Sequence, residues 1–207
     1  KLPIVNFNRT AYPKDRFIKF LEDNNYAISS NGVIYQKGKL GLVPSILDQW
    51  FNQRVKFKDL MQKYGNEGDD DKYIFYKRRQ HVQKILLNSL YGVLGLPIFR
   101  FYDVHNAEAV TTTGVSIIKF TSKMGNQYYN KILQEEKDHC IYIDTDSVFY
   151  SALPIVEKTM PEVDVTNDKE MASAILKVAD NVQDFLNKSY DVMAKKFYNI
   201  EEHRFDI

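Results

Sequence analysis

Apolar Phe17, Ile18 and Leu21 recur at helical spacing and predict a short helix over 15–21, with Asp15 placed to cap it. Tyr26-Ala27-Ile28 and Val33-Ile34-Tyr35 then flank Ser29-Ser30-Asn31-Gly32. Asn-Gly between two apolar runs marks a hairpin, because both residues tolerate positive φ. Ahead of these, Lys1–Lys14 holds two prolines and no period, and reads as a connecting segment. A link carrying Gly38 and Gly41 leads to Pro44, where a helix reaching about Tyr64 starts with proline in the turn that has no donor to lose. Gly65 to Asp71 breaks the pattern, and a second helix follows from about Lys72 to Leu94. Two helices of similar length joined by so short a break predict an antiparallel helical hairpin.

Beyond Gly95-Leu96-Pro97 the alternation from Ile98 to Tyr102 predicts a short strand. Asn106 is placed to cap a helix running to about Leu133, with Val110, Gly114, Ile117, Ile118, Thr121 and Met124 on its buried face. His139 to Asp144 and Ser147 to Ser151 read as strands around Thr145-Asp146. Asn167 with Glu170 three residues later forms a capping box. It opens a helix on which Met171, Ile175, Val178, Val182, Phe185 and Leu186 keep the period. Arg204 to Ile207 reads as a strand starting where the chain stops; with Lys1 as the first residue, this suggests a piece of something longer.

Composition narrows the class. With 44% hydrophobic and 27% charged residues over 207 positions, the chain should build a core, as one large domain or two small ones. The balance of 28 Lys+Arg against 27 Asp+Glu excludes a polycation. Charge is uneven, however: between Asn52 and Lys84 nine basic residues face five acidic ones, a local excess suited to phosphate or to an ordinary solvated helix face. The single cysteine, Cys140, excludes a disulfide framework and a cysteine-based zinc site, and fits a reducing compartment. No apolar run approaches a membrane span and no signal-peptide pattern opens the chain, so a membrane partner is not expected.

Three constellations carry candidate chemistry. In Tyr142-Ile143-Asp144-Thr145-Asp146-Ser147 two carboxylates sit one residue apart at a hairpin apex. Left alone they repel, and a hard divalent cation such as Mg²⁺ relieves this while leaving room for substrate phosphates. An Asx-type turn with no metal accounts for the same residues. In Lys84-Ile85-Leu86-Leu87-Asn88-Ser89-Leu90-Tyr91-Gly92, Lys84, Asn88 and Tyr91 form one helical stripe ending at a glycine. That stripe offers a counter-charge, an amide and a stacking ring to a nucleoside triphosphate, or else a surface lysine, a core tyrosine and a bend. In Asn52-Gln53-Arg54-Val55-Lys56-Phe57-Lys58, Arg54 and Lys58 lie one turn apart on the opposing helix, so an antiparallel hairpin lets them share an anion with Lys84.

Taken together and in this order, Lys-x-x-x-Asn-Ser-x-Tyr-Gly at 84–92 and Tyr-x-Asp-Thr-Asp-Ser at 142–147 resemble the family B DNA polymerases, particularly those of T-even-like phages and large DNA viruses. Ser30-Asn31-Gly32 with Tyr35, Gly41-Leu42-Val43-Pro44, Phe51-Asn52-Gln53-Arg54 and Phe99-Arg100-Phe101-Tyr102-Asp103 extend the resemblance. It implies an α+β fold: an antiparallel-sheet palm backed by helices, with an inserted antiparallel two-helix fingers hairpin. The expected division is a palm segment at 1–42, fingers at 43–96 and palm at 97–207, with the catalytic hairpin at 139–151. It implies template-directed addition of deoxynucleotides to a primer 3′-hydroxyl, using two Mg²⁺ ions in the complete enzyme. Arg54, Lys58 and Lys84 would contact the triphosphate, and Asn88 would line the same face. Tyr91 and Gly92 would lie against the nascent base pair and template. Asp144 and Asp146 would be the catalytic carboxylates, Asp146 the better candidate for direct metal ligand and Asp144 a weaker ligand or electrostatic partner.

The departures from the family pattern are specific. The family's other catalytic aspartate sits in an Asp-x-x-Ser-Leu-Tyr-Pro-Ser motif, which nothing between Lys1 and Pro44 supplies. The exonuclease carboxylates, the later Lys-x-Tyr element and a thumb are also missing, and Tyr142-Ile143 stands where many members have Tyr-Gly. The 207 residues alone are therefore expected to bind nucleotide weakly and to extend no primer. Implied partners are primer–template DNA and deoxynucleoside triphosphates, with a sliding clamp or the rest of a longer or split polymerase as further candidates. The implied location is intracellular, in the host cytoplasm or nucleus, and at the viral replication site if the chain is viral. The competing readings are an inactive or split-polymerase DNA-binding subunit and a metal-dependent nuclease.

Overall fold

In a computed structural model, described for residues 14–201 and 203, the chain is α+β and mostly helical, with two small two-stranded sheets. It divides into two compact units, Lys1–Tyr35 with Ala109–Ile207, and Gln36–Glu108. The Lys1–Pro13 part of the connecting segment and the strand expected at Arg204–Ile207 lie outside the described residues.

The first unit opens with helix α1, Lys14–Asp23. Asp15 is thus inside the helix and not ahead of it. Strands β1 (Tyr26–Ile28) and β2 (Ile34–Gln36) pair around the Asn-Gly turn, where Gly32 takes φ 90° and Ser29 N donates to Val33 O at 2.9 Å. Two contacts tie this hairpin to the C-terminal part of the chain: Asn199 Nδ2 donates to Tyr26 O at 2.7 Å, and the Ser30 and Tyr198 hydroxyls lie 3.0 Å apart.

The unit is built on two long helices, α4 (Val104–Leu133) and α6 (Asp168–Tyr198). Asp103, three residues before the expected Asn106, caps α4: its Oδ1 accepts from His105 N and Asn106 N at 3.1 and 3.3 Å. Asn167 caps α6 as expected, accepting from Lys169 N and Glu170 N, although Glu170 returns its carboxylate to Asn167 Nδ2 and Asp164 N. α6 buries Ala174, Val178, Leu186, Tyr190, Met193 and Tyr198, largely at i, i+4 spacing. Its early positions pack with Tyr129, Ile132 and Leu133, its late ones with Ile117, Phe120 and Met124, so the two helices run antiparallel. Of the expected inward residues Thr121 is buried while Val110 and Gly114 are exposed; Ala109, Gly125 and Tyr129 are buried besides. A short helix with no expectation behind it, α5 (Leu153–Thr159), places the fully buried Val156 in this core.

Between the two long helices in chain order comes the hairpin of β3 (Cys140–Asp144) and β4 (Ser147–Tyr150). Tyr129 and Tyr150 stack at its base with ring centroids 5.0 Å apart, and burial pushes both phenols from 10.0 up to about 12. A phenol whose folded pKa lies above its unfolded value stabilises the fold fully below pH 10.0 and progressively less as pH rises toward about 12. In an alkaline titration, the last tyrosines to ionise should therefore do so together with loss of the α4–α6 circular dichroism signal. Ionisation of all tyrosines near their ordinary pKa with the helices intact would contradict the burial.

The second unit is dominated by α2 (Leu42–Glu67) and α3 (Asp70–Leu94). The break between them is shorter than the sequence suggests. α2 runs on through Gly65 and ends at Gly68 in the left-handed region, φ 74°, with Asp69 N bonded to Tyr64 O and Gly68 N to Gly65 O. Asp69 then caps α3 through Lys72 N, and Asp70 and Asp71 fall in its first turn, where negative charge is favoured. The acidic run at the tip is thereby accounted for without a cation. Ile98–Tyr102 is not a strand but successive turns, with Phe99 N donating to Leu96 O and Tyr102 N to Phe99 O, both at 2.9 Å.

Candidate functional site

The candidate residues fall in both units. Arg54, Lys58, Lys84, Asn88, Tyr91 and Gly92 lie on the α2–α3 hairpin. Its half-buried positions include a set repeating every three or four residues: Trp50, Gln53, Phe57, Leu60 and Tyr64 on α2, and Tyr73, Tyr76, Gln80, Gln83, Leu87 and Leu90 on α3. This is the seam of a two-helix packing. Gln83 Nε2 donates to Gln53 Oε1 at 2.7 Å, Arg79 lies over Phe57, and Tyr64 stacks on Tyr76 at 5.6 Å. As one residue number rises its partner's falls, which makes the pair antiparallel.

That register decides where the cations go. Each helical residue is rotated by about 100° from the one before. In an antiparallel pair of right-handed helices, the residue following a seam position therefore turns toward the same side from either helix. Arg54 follows Gln53 and Lys58 follows Phe57; Lys84, Asn88 and Tyr91 follow Gln83, Leu87 and Leu90. All five share one face of the hairpin, and the Gln53–Gln83 bond sets Arg54 level with Lys84. Lys77 and His81 follow Tyr76 and Gln80 and belong to this face too. Their spacing of seven and three residues from Lys84 is the signal in the sequence that would have found them.

Lys58, Lys84, Asn88, Tyr91 and Gly92 are exposed and Arg54 is half-buried. Arg54 Nε and Gln83 Oε1 are shielded and make no hydrogen bond. Lys58 lines an open cavity of about 410 Å³ toward the tip, with Asp59, Gln62, Gly65 and Tyr73. Nothing lies within 4 Å of a Cβ placed on Gly92, so that surface is open to close approach.

Asp144 and Asp146 lie in the first unit, at the β3–β4 apex. Asp144 pairs with Ser147, which leaves Thr145 and Asp146 as a two-residue turn with Thr145 at φ 41°. A β-branched residue in the left-handed region is strained, and Thr145 Oγ1 donates to Asp144 Oδ1 at 3.0 Å while Ser147 Oγ donates to Asp144 O at 3.1 Å. Both carboxylates are exposed. No group of three or more acidic, histidine or cysteine side chains converges among the described residues. Two carboxylates open to water suit a hard cation that keeps most of its ligands as water and substrate oxygens, and do not suit a closed protein cage.

The hairpin is fastened at its root to one face of α4. Tyr150 Oη donates to Ser122 O at 2.8 Å, His139 N to Asn126 Oδ1 at 2.9 Å, and Asn126 Nδ2 to Asp138 Oδ1 at 2.7 Å. The bonds from Asn126 and from Cys140 N hold the Asp138 carboxyl below its ordinary value. Ser122, Asn126 and Asn130 recur every four residues, a polar row the sequence displays but gives no reason to assign.

The profile of DNA polymerase family B matches residues 8–199. The DNA-directed DNA polymerase of Escherichia phage RB69 is 29% identical over 182 residues, covering 64% of this chain and 20% of the relative. That of Enterobacteria phage T4 is 42% identical over 77 residues, 37% of this chain and 9% of the relative. The DNA polymerase of Phaeocystis pouchetii virus is 33% identical over 124 residues, 56% of this chain and 12% of the relative. This chain thus spans a fifth or less of the length of these three relatives. Among the described residues no helix is long and apolar enough to cross a membrane. The family match runs through both units and takes in the cationic hairpin face and the acid pair alike, and the chain belongs to DNA polymerase family B.

Proposed function

We propose that the chain carries the fingers and most of the palm of a template-directed DNA polymerase, with primer–template DNA and deoxynucleoside triphosphates as substrates. Residues 43–96 are the fingers; 1–42 and 97–207 belong to the palm. Arg54, Lys58 and Lys84 bind the triphosphate, Arg54 as a fork and the lysines as point charges. Asn88 lines the same face. Tyr91 and Gly92 take the nascent base pair, the ring by stacking and the glycine by leaving room for a base. Asp146, with Asp144 beside it, holds Mg²⁺. When bound, Mg²⁺ supplies charge neutralisation on phosphoryl oxygens and a more acidic primer hydroxyl. The acids' own task is to fix that charge at the hairpin apex.

The observation that carries this reading is the antiparallel register of α2 and α3, which brings Arg54, Lys84 and Asn88 to one face. Calorimetric titration of the chain with magnesium-dATP tests it. Arg54→Ala and Lys84→Ala are each expected to weaken binding by at least about tenfold, the worth of one charge-assisted hydrogen bond of roughly 1.5–3 kcal/mol. Lys63→Ala, preceding the seam residue Tyr64 and so on the other face, should leave binding unchanged. Equal losses from all three substitutions would mean nonspecific charge attraction and refute the assignment.

A further inference from the structure

A tyrosine crosses the backbone of α4 at residue 125. A Cβ on Gly125 would overlap the phenol oxygen of Tyr150 and lie 2.6 Å from its Cζ and 3.0 Å from its Cε2. Alanine is the better helix former, so a glycine within this 30-residue helix needs a local reason, and Tyr150 is that reason. The same ring is fixed twice more, by its bond to Ser122 O and by its stack on Tyr129. Asn130 Oδ1 faces His139 Nε2 at 2.9 Å on the other strand's approach. Residues 122, 125, 126, 129 and 130 are one face of α4. From Ile141 to Asp146, by contrast, every residue is exposed. The apex therefore takes its orientation from its root.

We propose that Gly125 and Tyr150 form a positioning lock: the bare backbone at 125 lets Tyr150 lie against α4, and that seat sets the direction in which β3–β4 presents Asp144 and Asp146. The lock stands on the geometry alone, while its consequence for chemistry rests on the metal-holding role proposed for those acids. Gly125 and Tyr150 are positioning residues and touch no substrate.

Residue-resolved hydrogen exchange on the chain tests the lock without any ligand. Gly125→Ala is expected to speed exchange of the Tyr142–Tyr150 amides by about tenfold or more, with α6 amides keeping their protection. In a Tyr150→Ala background the same change should alter hairpin exchange by less than about twofold, because the clash has gone. No acceleration in the wild-type background, or equal acceleration in both, overturns the proposal. If Gly125→Ala loses protection throughout the unit, Tyr150→Phe decides: it removes only the hydroxyl, and about threefold faster exchange confined to the hairpin supports the lock, whereas unchanged exchange overturns it. Mn²⁺-induced broadening of the Asp144 and Asp146 resonances is the second readout, and its titration midpoint should rise in Gly125→Ala. Absence of broadening in the wild-type chain would refute metal holding by the acids, and the exchange data would still decide the lock.

Discussion

Asp146→Asn should reduce primer extension by about a thousandfold, the equivalent of roughly 4 kcal/mol of lost transition-state stabilisation. The suitable setting is a chimera in which the part of this chain that aligns with the phage RB69 polymerase replaces its counterpart there. Asparagine preserves the size of the side chain and suits the two-residue turn, so the substitution removes the charge that the proposed function assigns to Mg²⁺. Asp144→Asn should cost less, because the Asp144 carboxylate already accepts Thr145 Oγ1 and its carbonyl accepts Ser147 Oγ, which gives it a structural share in the turn. Extension within tenfold of the unsubstituted chimera for Asp146→Asn would remove the acid pair from the mechanism. A larger loss for Asp144→Asn than for Asp146→Asn would reverse their roles.

The second large effect concerns stability. Tyr190 is 2% exposed, its hydroxyl lies 2.6 Å from that of Thr121, and its ring packs beside Phe120 and His203. Thr121 also donates to Ile117 O at 2.9 Å; its single proton is then spent, and Tyr190 must be the donor between the two hydroxyls. Tyr190→Ala should lower unfolding stability by about 3–5 kcal/mol, from lost burial and the cavity left between α4 and α6. Tyr190→Phe removes only the donor and should cost about 1 kcal/mol. Urea unfolding followed by circular dichroism measures both. A cost below about 1 kcal/mol for Tyr190→Ala would show that the helices close over the gap or that Tyr190 is no keystone.

Particular elements show which features could be read ahead of the coordinates. The Asn31-Gly32 turn, the Asn167 cap and the short break between α2 and α3 follow from contacts within a few residues, and short-range preferences decide them. The Ile98–Tyr102 segment alternates as a strand does, yet Ile98 is 93% exposed and the backbone closes turns on itself. A strand needs a partner edge, and alternation cannot supply one. Asp103 and Asn106 are chemically equivalent as caps for α4, and the choice between them depends on where Leu94 O meets Asp103 N, at 3.0 Å. On α4 the apolar positions allow more than one inward face. Thr121, expected inward, and Tyr129 face α6, whereas the expected Val110 and Gly114 are exposed. Gly125 carries no signal in the linear sequence, because its role is defined by Tyr150, 25 positions away.

The amino-acid order by itself marks every described helix except α5, the two hairpins, and the motifs that signal the family, since each depends on side chains a turn or a strand apart. Only tertiary structure decided that Arg54 and Lys84 stand level on one face, and that the acid-bearing hairpin is seated on a glycine of α4. Both depend on register between distant segments. That register is set by shape and hydrogen bonding at a packed interface, for which a linear pattern holds no coordinate.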